Sequence, residues 1–184
     1  MGKVFQTIEP RIQAFIEQQK LFFVSTAPLD SDGLVNCSPK GWDCLRILDP
    51  LTVAYVDLTG SGAETIAHLK ENRRITFLFC AFEGPPKLVR LHGKGEVFER
   101  DTPEFDELIN QLPNYPSARS IIKVALNRIS DSCGYTVPLY EFKEDRDTMK
   151  KWVANKGADA LVDYRKEKNS HSLDGLPAFG IEKK

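Results

Sequence analysis

The chain is 184 residues long, 41% hydrophobic and 28% charged, which suits one ordinary globular domain able to bury a proper core. Its 25 Lys and Arg are balanced by 26 Asp and Glu, so no global field draws it to nucleic acid or to an anionic membrane. Apolar runs are short and broken by charge, which excludes a membrane-spanning helix, and the opening MGKVFQTIEPRIQAF lacks the apolar core of a signal peptide. A soluble cytoplasmic protein is expected.

In chain order, Thr7 can cap a helix carrying Pro10 in its first turn, with Ile8, Ile12, Phe15 and Ile16 as one apolar stripe. The run 21-LFFVSTA-27 reads as a buried strand, 30-DSDG-33 as a turn and 34-LVNCSPKG-41 as the second strand of a hairpin. After the turn at Asp49-Pro50, 51-LTVAYVDL-58 is another strand. Thr59-Gly60-Ser61-Gly62 then leads into a helix with Ala63, Ile66 and Leu69 on one side, ending near Asn72. A strong strand, 74-RITFLFCAF-82, and a turn, 83-EGPP-86, precede the long period-two strand 87-KLVRLHGKGEVFE-99. There Val89, Leu91 and Val97 share one face, and Arg90, His92, Lys94 and Glu96 share the other. Gly93 and Gly95 fall among the apolar positions, which implies sharp curvature or the close approach of another backbone. A short helix over 102-TPEFDELINQL-112, with 104-EFDE-107 on its exposed face, precedes a strand in 121-IIKVALNRISDSC-133. The C-terminal part turns helical, with Met149, Trp152 and Val153 as a short apolar face, before the irregular tail 169-NSHSLDGLPAFG-180. No repeat, low-complexity segment or linker breaks the chain, so a single domain over 1–184 is expected, with 141–184 a helical extension. Strand follows strand too often for a doubly wound sheet. The expected class is α+β, mainly β with peripheral helices, on a small antiparallel barrel.

The stretch Thr59-Gly60-Ser61-Gly62-Ala63-Glu64-Thr65 approaches a dinucleotide fingerprint, but the next strand runs into a hairpin instead of completing a parallel βαβ unit. No Lys-Ser/Thr follows the glycines, so it is no Walker loop either. Two compatible readings stand. Ser61 and Glu64 have the spacing of a capping box. A helix start also presents free amides and the positive end of the macrodipole, which suits a phosphate, and Thr59 and Thr65 add hydroxyls. Ser38 and Lys40 share a strand face around Pro39, as Arg90 and His92 do with Lys94; each is either a solvated face or one wall of an anion site. Cys37, Cys44, Cys80 and Cys133 are widely spaced, and only His68, His92 and His171 accompany them. Reduced thiols are expected, with Cys37 and Cys80 in the core, and no metal site. No nucleophile elbow or Cys/His signature occurs, so any hard chemistry falls to a cofactor.

In order and spacing, 21-LFFVSTA-27, 34-LVNCSPKG-41, 55-YVDLTGSGAETIAHLKEN-72, 74-RITFLFCAFEGPP-86 and 88-LVRLHGKGEVF-98 resemble the pyridoxamine 5'-phosphate oxidase-like family, the FMN-binding split β-barrel proteins, over about residues 5 to 140. The resemblance implies a split antiparallel barrel, a homodimer with FMN at the subunit interface, and a flavin-dependent oxidoreductase acting on an unknown small molecule. Carried onto this chain, it puts Ser38 and Lys40 near the flavin or its phosphate. Thr59, Gly60, Ser61, Gly62 and Thr65 form the turn and helix start over the phosphate, and Arg90 approaches from the later strand. The segment 130-SDSCGY-135 reaches the partner's flavin. Gly62 and Ala63 stand where pyridoxamine phosphate oxidase proper has a basic pair, and its Arg- and Pro-containing tail is not evident in 173-SLDGLPAFGIEKK-184. The resemblance therefore does not extend to pyridoxamine oxidation. Two alternatives keep the fold: a non-catalytic flavin-binding or sensing module, and a site for deazaflavin or haem.

Overall fold

Alternating burial runs through the strands of the computed structural model, which describes residues 2–180. Met1 and residues 181–184, the ends of the expected domain and of its extension, lie outside the described residues. The strands are β1 (Val4–Phe5), β2 (Phe22–Thr26), β3 (Asn36–Lys40), β4 (Leu45–Asp49), β5 (Thr52–Leu58), β6 (Arg74–Cys80), β7 (Leu88–Glu99) and β8 (Ala118–Ser132). The helices are α1 (Pro10–Gln18), α2 (Glu64–Asn72), α3 (Pro103–Ile109), α4 (Thr148–Lys156) and α5 (Ala158–Lys168). All strand pairs are antiparallel, in the order β3-β2-β6-β7-β8-β5-β4, with β1 added to β8. β3 and β4 end that path without pairing, so the barrel is split between them.

The register explains the closure. Phe22 and Val24 of β2 stand opposite Phe79 and Phe77 of β6, which puts their side chains on one face. That face curls until Phe22 meets Tyr55 of β5 edge-on, with ring centroids 6.0 Å apart. Val24, Val53, Tyr55, Phe77, Val89, Leu91, Ile122 and Ile129 fill the interior, each essentially inaccessible. Burying a side chain of this size stabilises the fold by about 1.5–3 kcal/mol, so this face dominates the energetics. β7 bends because its glycines admit neighbours. A Cβ on Gly93 would lie 2.4 Å from the Ala125 carbonyl oxygen, where β7 and β8 shift register, and one on Gly95 would lie 2.9 Å from Leu69 of α2.

Some expectations need correction. Thr7 does not cap α1: Glu9 holds the N-cap position without a side-chain cap bond, and Pro10 begins the helix, where its missing N–H costs nothing. β1 and β4 were not foreseen; β4 is only half-buried, and its charges disguise the alternation. Cys37 is exposed, whereas Cys44 and Cys80 are buried.

The extension is anchored at separate points. Trp42, in the left-handed region at φ 60°, donates its indole Nε1 to the Arg146 carbonyl at 3.2 Å. α4 buries nothing, but α5 buries Leu161 and Arg165. Beyond it, a bridge between His171 and Pro177 shapes the tail, and Ala178 packs against Ala63, Ile66 and Ala67 of the α2 region. No described helix is long and apolar enough to cross a membrane.

Candidate functional site

β5 delivers the central acid. Tyr55 points into the barrel, so by the period of two Asp57 does as well, and its carboxylate is fully buried. Burial alone would raise its pKa, but Arg119 and Lys40 outweigh that and hold it down to about 2. Arg119 Nε donates to one carboxylate oxygen at 2.7 Å and Lys40 Nζ to the other at 3.0 Å. Lys40 reaches the acid because it stands opposite Phe22, on the inward face of the end strand β3.

The chain then turns through Thr59–Gly62. Thr59 donates both its amide and its hydroxyl to the Ser117 carbonyl, at 2.7 and 2.8 Å, and its Oγ1 accepts from Arg165 Nε at 2.9 Å. That hydroxyl is fully used, so Thr59 anchors the turn. Asn169 Nδ2 donates to the carbonyls of Gly60 and Ser61, at 2.8 and 3.4 Å, and Arg119 Nη1 lies 3.4 Å from the Gly60 carbonyl. Around this turn Asp57 lies between half-buried Lys40 and buried Arg119, Arg165 is buried beside Thr59 with Asp101 acting on it, and the Glu64 carboxylate lies at the start of α2.

Ser61 and Gly62 are exposed. α2 begins at Glu64 with Ala63 at the N-cap position and no side-chain cap bond, so the capping box does not form; Ser61 lies too early in the chain to supply it. The Glu64 carboxylate instead folds beside Gly62, where a Cβ would come 2.5 Å from its oxygen. Among the described residues the amides of Ser61 and Gly62 have no acceptor. Next to them, Thr65 Oγ1 accepts from Asn36 Nδ2 at 3.0 Å, and Ser38 Oγ donates to Asn36 Oδ1 at 2.8 Å. The inward face of β3 thus runs from the α2 start to Asp57. It brings Ser38, Lys40, Thr65 and the turn 59–62 together. The Tyr55 and Ser120 hydroxyls lie buried without protein partners; Ser120 is the cross-strand neighbour of Asp57.

Arg90 lies elsewhere. Val89 and Leu91 point inward, so Arg90 sits on the outer face of the sheet and donates to Ser132 Oγ at 2.9 Å. His92 shares that face and contacts Thr76 Oγ1 at 3.1 Å; burial, then Arg128 and Arg90, lower its pKa. Cys133 and Tyr135 are exposed in the adjoining segment. At the barrel split a cavity of about 410 Å³ is lined by Phe22, Phe79, Ile16, Trp42, Cys44 and Ile47, among others. Burial pushes the Cys44 thiol up to about 12, so that wall is neutral. No group of three or more His, Cys, Asp or Glu that could hold a metal occurs among the described residues.

Asn36, Asp57, Arg119, Arg165 and Asn169 escaped the sequence reading. Asp57 carried a signal, a lone acid at an inward position of a buried strand, which calls for a cation nearby. Nothing local marked Arg165 or Asn169.

The chain belongs to the pyridoxamine 5'-phosphate oxidase family, whose model matches residues 8–133. It is 34% identical to ustO of Aspergillus flavus, described as a pyridoxamine 5'-phosphate oxidase family protein, over 95% of this chain and 77% of that one. Among solved structures it superposes on a putative pyridoxamine 5'-phosphate oxidase from Lactobacillus delbrueckii with a TM-score of 0.53 and 17% identity, covering 69% of this chain and 98% of the other. A tagged variant of HupZ from Group A Streptococcus gives 0.52 and 21%, covering 68% and 99%. These likenesses establish a split-barrel fold of the kind that binds flavin in this family.

Proposed function

We propose that the chain is an FMN-binding flavoprotein that works as a homodimer and acts as an oxidoreductase on a small molecule. The carrying observation is the turn Gly60–Gly62: Ser61 and Gly62 are exposed, their amides have no acceptor among the described residues, and three cations, Lys40, Arg119 and Arg165, stand close by against Asp57 and Glu64. These residues fit a phosphate. Amide donors at a helix start favour an anion, and Lys40 and Arg119 reinforce the field from below. Apart from its chain neighbours, no atom of the described residues comes within 4 Å of a Cβ built on Gly60, so the backbone can be approached closely there.

Bound flavin supplies hydride transfer. The chain's own groups orient it: the turn amides hold the phosphate, and Ser38 and Lys40 on β3 flank it. Arg90 cannot join them within one protomer, because it occupies the opposite sheet face. Its role belongs to the interface of the dimer, with the segment 130–135, where it meets the partner's flavin. The 410 Å³ cavity adjoins Lys40 through its wall residue Phe22 and, with Lys20, Asp43 and Arg46 beside Phe22, Trp42 and Phe79, suits a small molecule with both apolar and polar parts. Exposed free thiols at Cys37 and Cys133 suit a reducing cytoplasm.

A second reading, a non-catalytic flavin carrier or sensor, is favoured by Asp57, the buried carboxylate beneath the turn. At about 2 its pKa keeps it ionised and unable to donate a proton at neutral pH.

The test is absorbance of the purified protein, with titration of FMN and riboflavin. FMN should bind more tightly than riboflavin, and Lys40→Ala should weaken FMN alone. Arg90→Ala should weaken FMN binding only at concentrations where the protein is dimeric. Turnover with a reduced nicotinamide separates the oxidoreductase from the carrier, and the spectrum separates flavin from deazaflavin or haem. A protein that binds no FMN at any accessible concentration defeats the proposal.

A further inference from the structure

We propose that Asn169 and Arg165, on the C-terminal extension, are positioning residues that aim the amides of Ser61 and Gly62 at a phosphate monoester. The proposal rests on the flavin-phosphate reading above. Both residues lie beyond the part of the chain that the family model matches, residues 8–133.

A trans peptide is planar, and its C=O and N–H point in opposite directions. The carbonyl of Gly60 belongs to the same peptide plane as the amide of Ser61, and the carbonyl of Ser61 to that of Gly62. Asn169 Nδ2 donates to both carbonyls, at 2.8 and 3.4 Å. Holding the carbonyls on the side of the extension turns both amides to the opposite, exposed side. The Asn169 donor also polarises each peptide, which makes its amide a better donor.

Arg165 fixes the entry to the turn. Its Nε holds Thr59 Oγ1 at 2.9 Å and its Nη2 reaches the Ala118 carbonyl at 3.3 Å. Arg165 is 5% exposed and Asn169 fully buried, so neither group can exchange these partners for water. The tail beyond them has little slack. Asp174 accepts from the Leu34 amide at 3.0 Å, Lys70 donates to the Ala178 carbonyl, and the Gly180 amide donates to Glu99 at 2.9 Å. Asn169 is thereby held against the turn from both sides in sequence.

The experiment uses the full-length protein and compares wild type with Asn169→Ala. FMN and riboflavin affinities are measured by flavin fluorescence, and ¹⁵N–¹H shifts of Ser61 and Gly62 during titration with inorganic phosphate. In wild type, FMN should bind more tightly than riboflavin and phosphate should move both amides. In Asn169→Ala, FMN affinity should fall about tenfold or more, the scale of one or two lost hydrogen bonds. Riboflavin affinity should be unchanged, and the phosphate-induced shifts should vanish. A merely structural role would weaken both flavins together. If Asn169→Ala does not fold, Asn169→Ser, which keeps a shorter donor, should show the same selective loss in smaller measure. FMN affinity equal to wild type in the folded variant overturns the proposal while leaving the flavin reading intact. If wild type binds no FMN, the flavin reading fails, and the phosphate shifts alone decide. Shifts present in wild type and lost in the variant uphold the positioning role, and their absence from wild type ends it.

Discussion

Two polar clusters sit on opposite faces of one sheet and use similar residues to different ends. On the inner face, Asp57 is clasped by Arg119 and Lys40, and the turn above it is clamped by Arg165 and Asn169. On the outer face, Arg90 has only a serine hydroxyl, and His92 only a threonine. Asp57, Arg119, Arg165 and Asn169 are buried, and their bonds replace water that cannot return; Lys40 is half-buried like Arg90 and His92 but is tied to a fully buried carboxylate, which they are not. A cation of the first kind is bound into the fold. A cation of the second kind is free to pair with another molecule, which is why Arg90 suits a direct contact across an interface, whereas Lys40, held by Asp57, would act on a bound anion through its field.

The comparison breaks most sharply at Asp57. Asp57→Asn leaves Arg119 and Lys40 facing each other without a counter-charge in a buried site, which should cost about 3–5 kcal/mol in unfolding free energy. Arg90→Ala removes one hydrogen bond from a partly solvated face and should stay within about 1 kcal/mol. Urea unfolding of the two variants measures both. Similar losses would mean that the two faces are not energetically distinct.

Acid should sharpen the same contrast. The folded pKa of Asp57, about 2, lies below its ordinary value of 3.8, so the folded state binds its proton less readily than the unfolded chain. The resulting stability is fully present above about pH 4 and is lost as pH falls through about 2, an effect of about 2 kcal/mol. Subtracting the urea profile of Asp57→Asn from that of wild type isolates it. His68 should act at higher pH and more weakly. Burial depresses its pKa below 6.5 against the pull of Asp174, Glu64 and Glu71, so stability should also decline somewhat as pH falls below 6.5.

The barrel class was legible because strand follows strand along the chain: the apolar runs 21-LFFVSTA-27 and 74-RITFLFCAF-82 and the period-two 88-LVRLHGKGEVF-98 are dictated by burial. The curvature was legible too, since Gly93 and Gly95 stand where side chains would be expected. The same alternation placed Arg90 outward, but it does not say which inward and outward groups end up close together. That depends on how far the sheet curls, and within one protomer packed side chains stand between Arg90 and Lys40. Arg165 and Asn169 were illegible for another reason. They lie 106 and 109 positions from their partners, Arg165 in a helix and Asn169 just beyond its end, where no local pattern marks them.

The smallest prediction separates a helix start that is capped from one that is not. α3 begins directly after Thr102, whereas ahead of α2 the sequence offers the Ser61-x-x-Glu64 spacing of a capping box. In the fold, Thr102 takes the N-cap position of α3, with its side chain accepting from the Phe105 amide at 3.3 Å. Ser61 sits ahead of the α2 cap position and makes no such bond, because the carbonyls of Gly60 and Ser61 are committed to Asn169 and the turn cannot fold back onto Glu64. Thr102→Ala should cost about 1 kcal/mol, whereas Ser61→Ala should change stability by less than about 0.5 kcal/mol. Thermal or urea unfolding of the two variants checks this. A loss at Ser61 equal to that at Thr102 would mean that its hydroxyl accepts from the Glu64 amide in solution, and that in the other half of the capping box the Glu64 carboxylate competes with an anion for the Ser61 amide.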